Sequence, residues 1–219
     1  MFCVTSANAR SYKVGDYYEE NGLKGIVVRV DATGEHGLLM SLDKTALKWL
    51  DDKDDKFTTG AFYEDDGQKN MDVIEKYIQA NGKTWETFPF FKWCRDHGDG
   101  WYAPASDELK DILNTINGGE GKYNSKFMKK VAKSLKKAKG DGLINGGYMG
   151  SKLPFSMYSS TEGDGGMVYT LYMKESVSSM LVRSSYSSPK GKFVVELMLK
   201  THTGGKFANA FGSRAVHKF

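Results

Sequence analysis

The chain predicts an α+β domain. Helical periodicity is confined to the middle of the sequence, β-prone runs stand at both ends, and no Pro- or Ser-rich linker divides them. That order places the N- and C-terminal strands in one sheet, with helices flanking it and long loops between. Residues 10–219 read as a single domain, because 219 residues with 40% hydrophobic content can bury one large core.

The first strand runs over 24–30, where Ile26, Val27, Val28 and Val30 follow Gly25. Its partner lies over 37–42, and Asp31 and Gly34 supply the reversal between them. Residues 43–68 are polar and read as a loop. The run Asp51-Asp52-Lys53-Asp54-Asp55-Lys56 lacks the glycine and glutamate of a calcium loop, so it reads as solvated charge. Met71, Ile74, Tyr77 and Ile78 predict a helix over 70–80, stopped by Asn81-Gly82. Phe90, Phe91, Trp93 and Cys94 predict a second over 88–97. A third begins at Ser106, expected as N-cap, and buries Leu109, Ile112, Leu113 and Ile116 before Asn117-Gly118-Gly119. A fourth spans 124–138, with Phe127, Met128, Val131, Leu135 and Ala138 on one face and lysines over the rest. Strands follow over 167–173, 180–183, 192–200 and 213–217.

Charge and composition narrow the function classes. The 31 basic and 27 acidic residues interleave to a net charge of +4, which argues against a dedicated nucleic-acid binder. No apolar run reaches the ~18–20 residues of a membrane span. The first nine residues are uncharged and end Ala7-Asn8-Ala9, which fits the small-x-small rule for signal cleavage. Residues 1–9 are therefore expected to be the remnant of a signal peptide, and the protein is expected to be exported: surface-bound, periplasmic or secreted. Cys94 is then the one mature cysteine, expected as a small buried hydrophobe.

Three short motifs carry the strongest signal. In Gly100-Trp101-Tyr102-Ala103-Pro104-Ala105-Ser106-Asp107-Glu108-Leu109, Trp101 and Tyr102 are core anchors, Pro104 fixes φ and holds Ala103 extended, and Ser106 opens the helix. In Tyr158-Ser159-Ser160-Thr161-Glu162, hydroxyls stand ready to satisfy a crowded backbone. The third, Arg214-Ala215-Val216-His217-Lys218-Phe219, reads as a terminal strand.

In this order, the motifs resemble bacterial surface-protein domains of C-type-lectin-like fold, the group of the major paralogous domain family and the C-terminal domains of collagen-like adhesins. The chain is more distantly similar to formylglycine-generating sulfatase-modifying enzymes and to phage tropism determinants. Tyr17-Tyr18, Gly22, Gly25-Ile26-Val27, His36-Gly37 and 66–70 extend the likeness across roughly residues 12–219. A tryptophan common before the Ser-Ser-Thr-Glu is here Met157-Tyr158. The resemblance implies small antiparallel sheets supporting an irregular loop region. The copper-binding cysteine pair of the formylglycine-generating relatives does not carry over, since Cys94 stands alone.

No catalytic pattern accompanies the motifs. His36, His97, His202 and His217 fall in no metal-ligand spacing, Ser159, Ser160 and Ser185 in no nucleophile elbow, and 163–166 in no phosphate loop. No metal or cofactor is expected. The expectation is a non-enzymatic recognition or adhesion module that binds an extracellular glycan or protein ligand through loops rich in tyrosine, serine and glycine. The candidate contact residues are Tyr148, Lys152, Glu162, Asp164, Tyr186 and Lys190, and the site gains Lys206 and Phe207 if 202–209 lies beside them. Trp101, Tyr102, Pro104, Ser106 and Arg214 are assigned structural roles. The alternatives are an exported enzyme related to the sulfatase-modifying group and a phage-type receptor-binding tip.

Overall fold

A computed structural model describes residues 10–51, 58–117, 125–143, 156–163, 167–176, 192–201 and 213–219. The expected signal remnant (1–9), most of the acidic run, the glycines after the third helix and the expected strand over 180–183 lie outside these residues.

The chain is α+β, as expected. Its first sheet is antiparallel and five-stranded, in the order β1 (Tyr17–Glu20), β2 (Leu23–Val30), β3 (Gly37–Met40), β8 (Val216–Lys218), β4 (Trp101–Tyr102). The strand from the far end of the sequence thus lies between β3 and β4. Leu39 pairs with His217 on one side, and Trp101 pairs with His217 on the other. β1 was not anticipated. It is joined to β2 through Asn21 and Gly22, both at positive φ (50° and 84°), the conformation that two-residue hairpin turns require.

The second sheet is also antiparallel, in the order β5 (Ser156–Gly163), β6 (Met167–Ser176), β7 (Lys192–Thr201). Among the described residues four α-helices accompany the sheets: α1 (Gly67–Ala80), α2 (Pro89–Arg95), α3 (Ser106–Asn117) and α4 (Ser125–Lys137). α3 packs on β2 of one sheet and on β5, β6 and β7 of the other, so its apolar stripe joins the two layers. Leu109, Ile112, Leu113 and Ile116 are all buried there, as their spacing predicts.

Three expectations need correction. First, Ser106 is not the N-cap of α3. The carbonyl of Ala105 accepts the first helical bond, from Leu109, and the Ser106 hydroxyl points at the Glu64 carbonyl. Second, Phe127 does not join the buried face of α4: it is 39% exposed, whereas Val131 and Leu135 are fully buried. Third, the described residues before α1 in 43–68 are irregular, as expected, but not polar throughout. Trp49, Leu50 and Ala61 are buried, with Trp49 packed edge-on against Phe88 and Phe91. Cys94 is fully buried, and burial pushes its thiol pKa well above the ordinary value.

Candidate functional site

β5 is the seam between the layers. Its hydroxyls and backbone do what the sequence suggests, satisfying polar groups on neighbouring segments. The Ser159 carbonyl accepts the Trp49 indole N–H at 2.9 Å, and Ser160 N–H donates to the Pro104 carbonyl at 2.8 Å. The Thr161 hydroxyl accepts from Ser106 N–H at 3.0 Å and donates to the Tyr63 carbonyl at 2.9 Å. The other motifs feed the same seam. Glu108, 2% exposed, accepts from Ala105 N–H, Gly67 N–H and the Tyr102 hydroxyl at 2.9, 3.1 and 2.8 Å. It therefore satisfies the backbone N–H of the N-cap residue from the third position of the helix, one half of a capping box. A Cβ on Gly67 would lie 2.3 Å from the Ala103 carbonyl, so only glycine admits this approach. Burial, then the Glu108 charge and hydrogen bond, push the Tyr102 pKa far up.

Glu162 was expected to face a ligand, but the structure turns it inward. It is 2% exposed, and its carboxylate accepts from both the N–H and the hydroxyl of Thr59, from the Thr58 hydroxyl, and from Gly60 N–H, the closest at 2.8 Å. Ala61 N–H adds a longer contact at 3.3 Å, and Glu162 N–H donates to the Ala61 carbonyl. The carboxylate thus fills a concave array of donors and fixes 58–61.

That turn presents the site. Phe62 and Tyr63 follow it directly and are 52% and 44% exposed. Buried Asn70 of α1 grips Tyr63 on both backbone groups: its Oδ1 accepts from Tyr63 N–H at 3.0 Å, and its Nδ2 donates to the Tyr63 carbonyl at 2.7 Å and to Ser160 Oγ at 3.0 Å. Lys69 sits over the Tyr63 ring at 5.3 Å. Two adjacent exposed aromatics thus follow a backbone that Glu162 holds at 58–61 and Asn70 holds at Tyr63, and they form a platform beside the end of β5.

Strand register divides the loops that composition had grouped. Gly163 pairs with Met167 and Met167 with Thr201, so 164–166 and the residues after 201 attach at the Phe62–Tyr63 end. Ser176 pairs with Lys192, and Ser156 with Tyr172, so 144–155 and 177–191 attach at the other end. The attachment points are separated by the length of β6, about 30 Å for ten residues at ~3.3 Å each. Tyr148, Lys152, Asp164, Tyr186, Lys190, Lys206 and Phe207 all lie outside the described residues. Phe62, Tyr63 and Lys69 were missed by sequence reasoning, although two neighbouring aromatics in a polar stretch were a usable signal.

Arg214, 1% exposed, is the second buried node. Its Nη1 donates to the carbonyls of Ser41, Leu42 and Asp43 at 2.8–3.0 Å, and its Nη2 to those of Asp141 and Gly142 at 2.8 and 3.2 Å. Burial pulls its pKa down to about 10, so it stays charged at neutral pH. Trp101, Tyr102 and Pro104 are likewise buried, in keeping with structural roles.

His97 has an acceptor on each ring nitrogen: the Trp93 carbonyl at Nδ1 and Asp43 at Nε2, both at 2.8 Å. Only the imidazolium donates to both. Burial is the largest single influence and lowers the His97 pKa. The Asp43 and Trp93 hydrogen bonds and the Asp43 and Asp96 charges together outweigh it, so the net shift is upward from 6.5. The His97 hydrogen bond in turn lowers the Asp43 pKa. The linkage has a definite sign. The histidine's contribution to stability is full below pH 6.5 and is lost as pH rises through the raised folded value. The aspartate's contribution is lost as pH falls from 3.8 through its lowered value. His97→Gln should therefore narrow its stability deficit against wild type as pH rises above 6.5. The deficit should not exceed about 1 kcal/mol, since Asp43 is half-exposed. Parallel urea titrations at pH 5.5 and pH 8.5 measure it, and equal deficits at both would refute a cationic His97.

Among the described residues no three His, Cys, Asp or Glu side chains gather into a metal-binding group, and no helix is long and apolar enough to cross a membrane. Comparisons with protein-family models, curated proteins and solved structures give no match.

Proposed function

We propose that this chain is a recognition module of C-type-lectin-like fold, exported and non-catalytic, whose ligand is an extracellular glycan or protein. The observation that carries the reading is the Phe62–Tyr63 platform. Buried Glu162 and Asn70 spend their hydrogen-bonding capacity on the backbone behind two solvent-facing rings. Rigid exposed aromatics give contact area at little entropic cost. A sugar ring presents C–H faces that pack flat on such rings, and a hot-spot side chain of a protein partner would use the same surface. The inert, buried Cys94 supports binding over the cysteine chemistry of the sulfatase-modifying enzymes. Pairing of β8 with β3 and a polar β5 holding the adjoining segments agree with the fold reading.

A glycan array and an extracellular-protein array, probed with and without calcium, test the reading. Wild type is expected to bind one ligand class saturably. The double variant Phe62→Ala/Tyr63→Ala should lose at least ten-fold in affinity with an unchanged melting temperature, because both side chains are exposed. Turnover of a hydrolytic or oxidative substrate panel, or undiminished binding by the double variant, would overturn it.

A further inference from the structure

α4 carries six lysines and no acidic residue. Lys129, Lys133, Lys136 and Lys137 are all exposed and recur at helical spacings of three and four, so they form a line of charge about 12 Å long at ~1.5 Å per residue. The line runs into a cleft of about 720 Å³ between the C-terminal end of α4 and β1. Lys137 and Lys139 line one side of the cleft, and Arg10, Tyr17 and Lys24 the other. Its two carboxylates are already neutralised: Asp16 by Lys130 at 2.8 Å and Glu19 by Lys24 at 2.7 Å. Among the described residues no acid pairs with Arg10, Lys129, Lys133, Lys136, Lys137 or Lys139. A chain with nearly balanced charge therefore concentrates unpaired cations along one helix and into one adjoining cleft.

From this we propose that α4 and the cleft form a docking surface for an acidic polysaccharide, carboxylated or sulfated, separate from the aromatic platform and independent of it. Regularly spaced lysines fit a linear polyanion whose charges repeat along its length. Nucleic acid is disfavoured as occupant, because α4 itself carries no Arg, Asn or Gln to read base edges, Arg10 is the one guanidinium lining the cleft, and no aromatic series stands along the helix on which bases stack. A membrane surface is disfavoured because Phe127 is the one large apolar side chain exposed on α4. In the cleft, the partly exposed ring of Tyr17 offers a sugar a flat face, and Arg10, Lys137 and Lys139 offer counter-charges.

The test immobilises heparin and polygalacturonate and measures binding of the full chain from about 50 to 200 mM salt. Duplex DNA and anionic phospholipid vesicles serve as parallel probes. Wild type is expected to bind at least one polysaccharide in a salt-sensitive way. Lys133→Glu/Lys136→Glu/Lys137→Glu should weaken that binding at least ten-fold and flatten its salt dependence. Lys76→Glu/Lys110→Glu, exposed on other helices, should leave it intact, as should Phe62→Ala/Tyr63→Ala. No polysaccharide binding by wild type, tighter binding to DNA or vesicles, or equal losses in the α4 and control variants would each overturn the proposal.

Discussion

Replacing Arg214 with alanine is expected to lower stability by about 4 kcal/mol, because a buried guanidinium leaves five backbone carbonyls without their donors. For a chain of this length that corresponds to a fall of roughly 10–15 °C in melting temperature. The loss should be concentrated where the donors act. One Nη serves 41–43, the other serves 141–142, and the backbone of Arg214 belongs to the run that leads into β8. Removing the side chain therefore unties two loops from a strand at once. Arg214→Lys keeps the charge but offers one compact ammonium where two nitrogens reached in different directions. It should recover less than half of the loss. Calorimetry or urea titration measures both variants, and an alanine variant melting within about 3 °C of wild type would remove Arg214 from the account of stability.

Glu162→Ala has the second-largest expected effect, and it couples stability to binding. The carboxylate holds two backbone N–H groups and two hydroxyls of 58–60 at 2.8–2.9 Å. Deleting it should cost about 2–3 kcal/mol, since water reaches part of the vacated site. The amides of Thr59, Gly60 and Ala61 should exchange at least ten-fold faster, which hydrogen exchange resolves by peptide. Ligand affinity should fall along with it, because Phe62 and Tyr63 lose the rigid turn behind them. Glu162→Gln keeps one acceptor oxygen and loses the charge, so it should fall between wild type and alanine. Faster exchange confined to 59–61 with unchanged ligand binding would detach the platform from the function.

The parts of the fold legible in the sequence are those fixed by local pattern. Ile26 to Val30 and Leu38 to Met40 form a hairpin because β-branched and apolar residues flank a turn carrying Asp31 and Gly34, and the structure pairs them antiparallel with one register shift between Val27 and Arg29. α3 is legible because four apolar residues repeat at helical spacing. β1 escaped because Glu19 and Glu20 break its apolar alternation, though Asn21-Gly22 announced the turn. Trp49 escaped because one tryptophan in a polar stretch has no periodicity; its burial depends on Phe88 and Phe91, some forty residues later. The roles of Glu108 and Glu162 were illegible for the same reason. The Glu162 donors lie on Thr58 to Gly60, far along the chain, and for Glu108 the capping contact with Ala105 is local while the bond to Gly67 has no local spacing to announce it. Grouping the loops by tyrosine, serine and glycine content ignored direction along β6, which carries 164–166 and 177–191 away from opposite ends.

The position of β8 bears on how the protein is made. A ribosome delivers β3 and β4 long before Val216 emerges, and nothing else in the first sheet bridges them. During synthesis the nascent chain holds two open edges, and the sheet closes only after nearly all of the sequence has been threaded out. The sheet is thus completed late, which leaves an interval in which a chaperone has time to act on the incomplete layer.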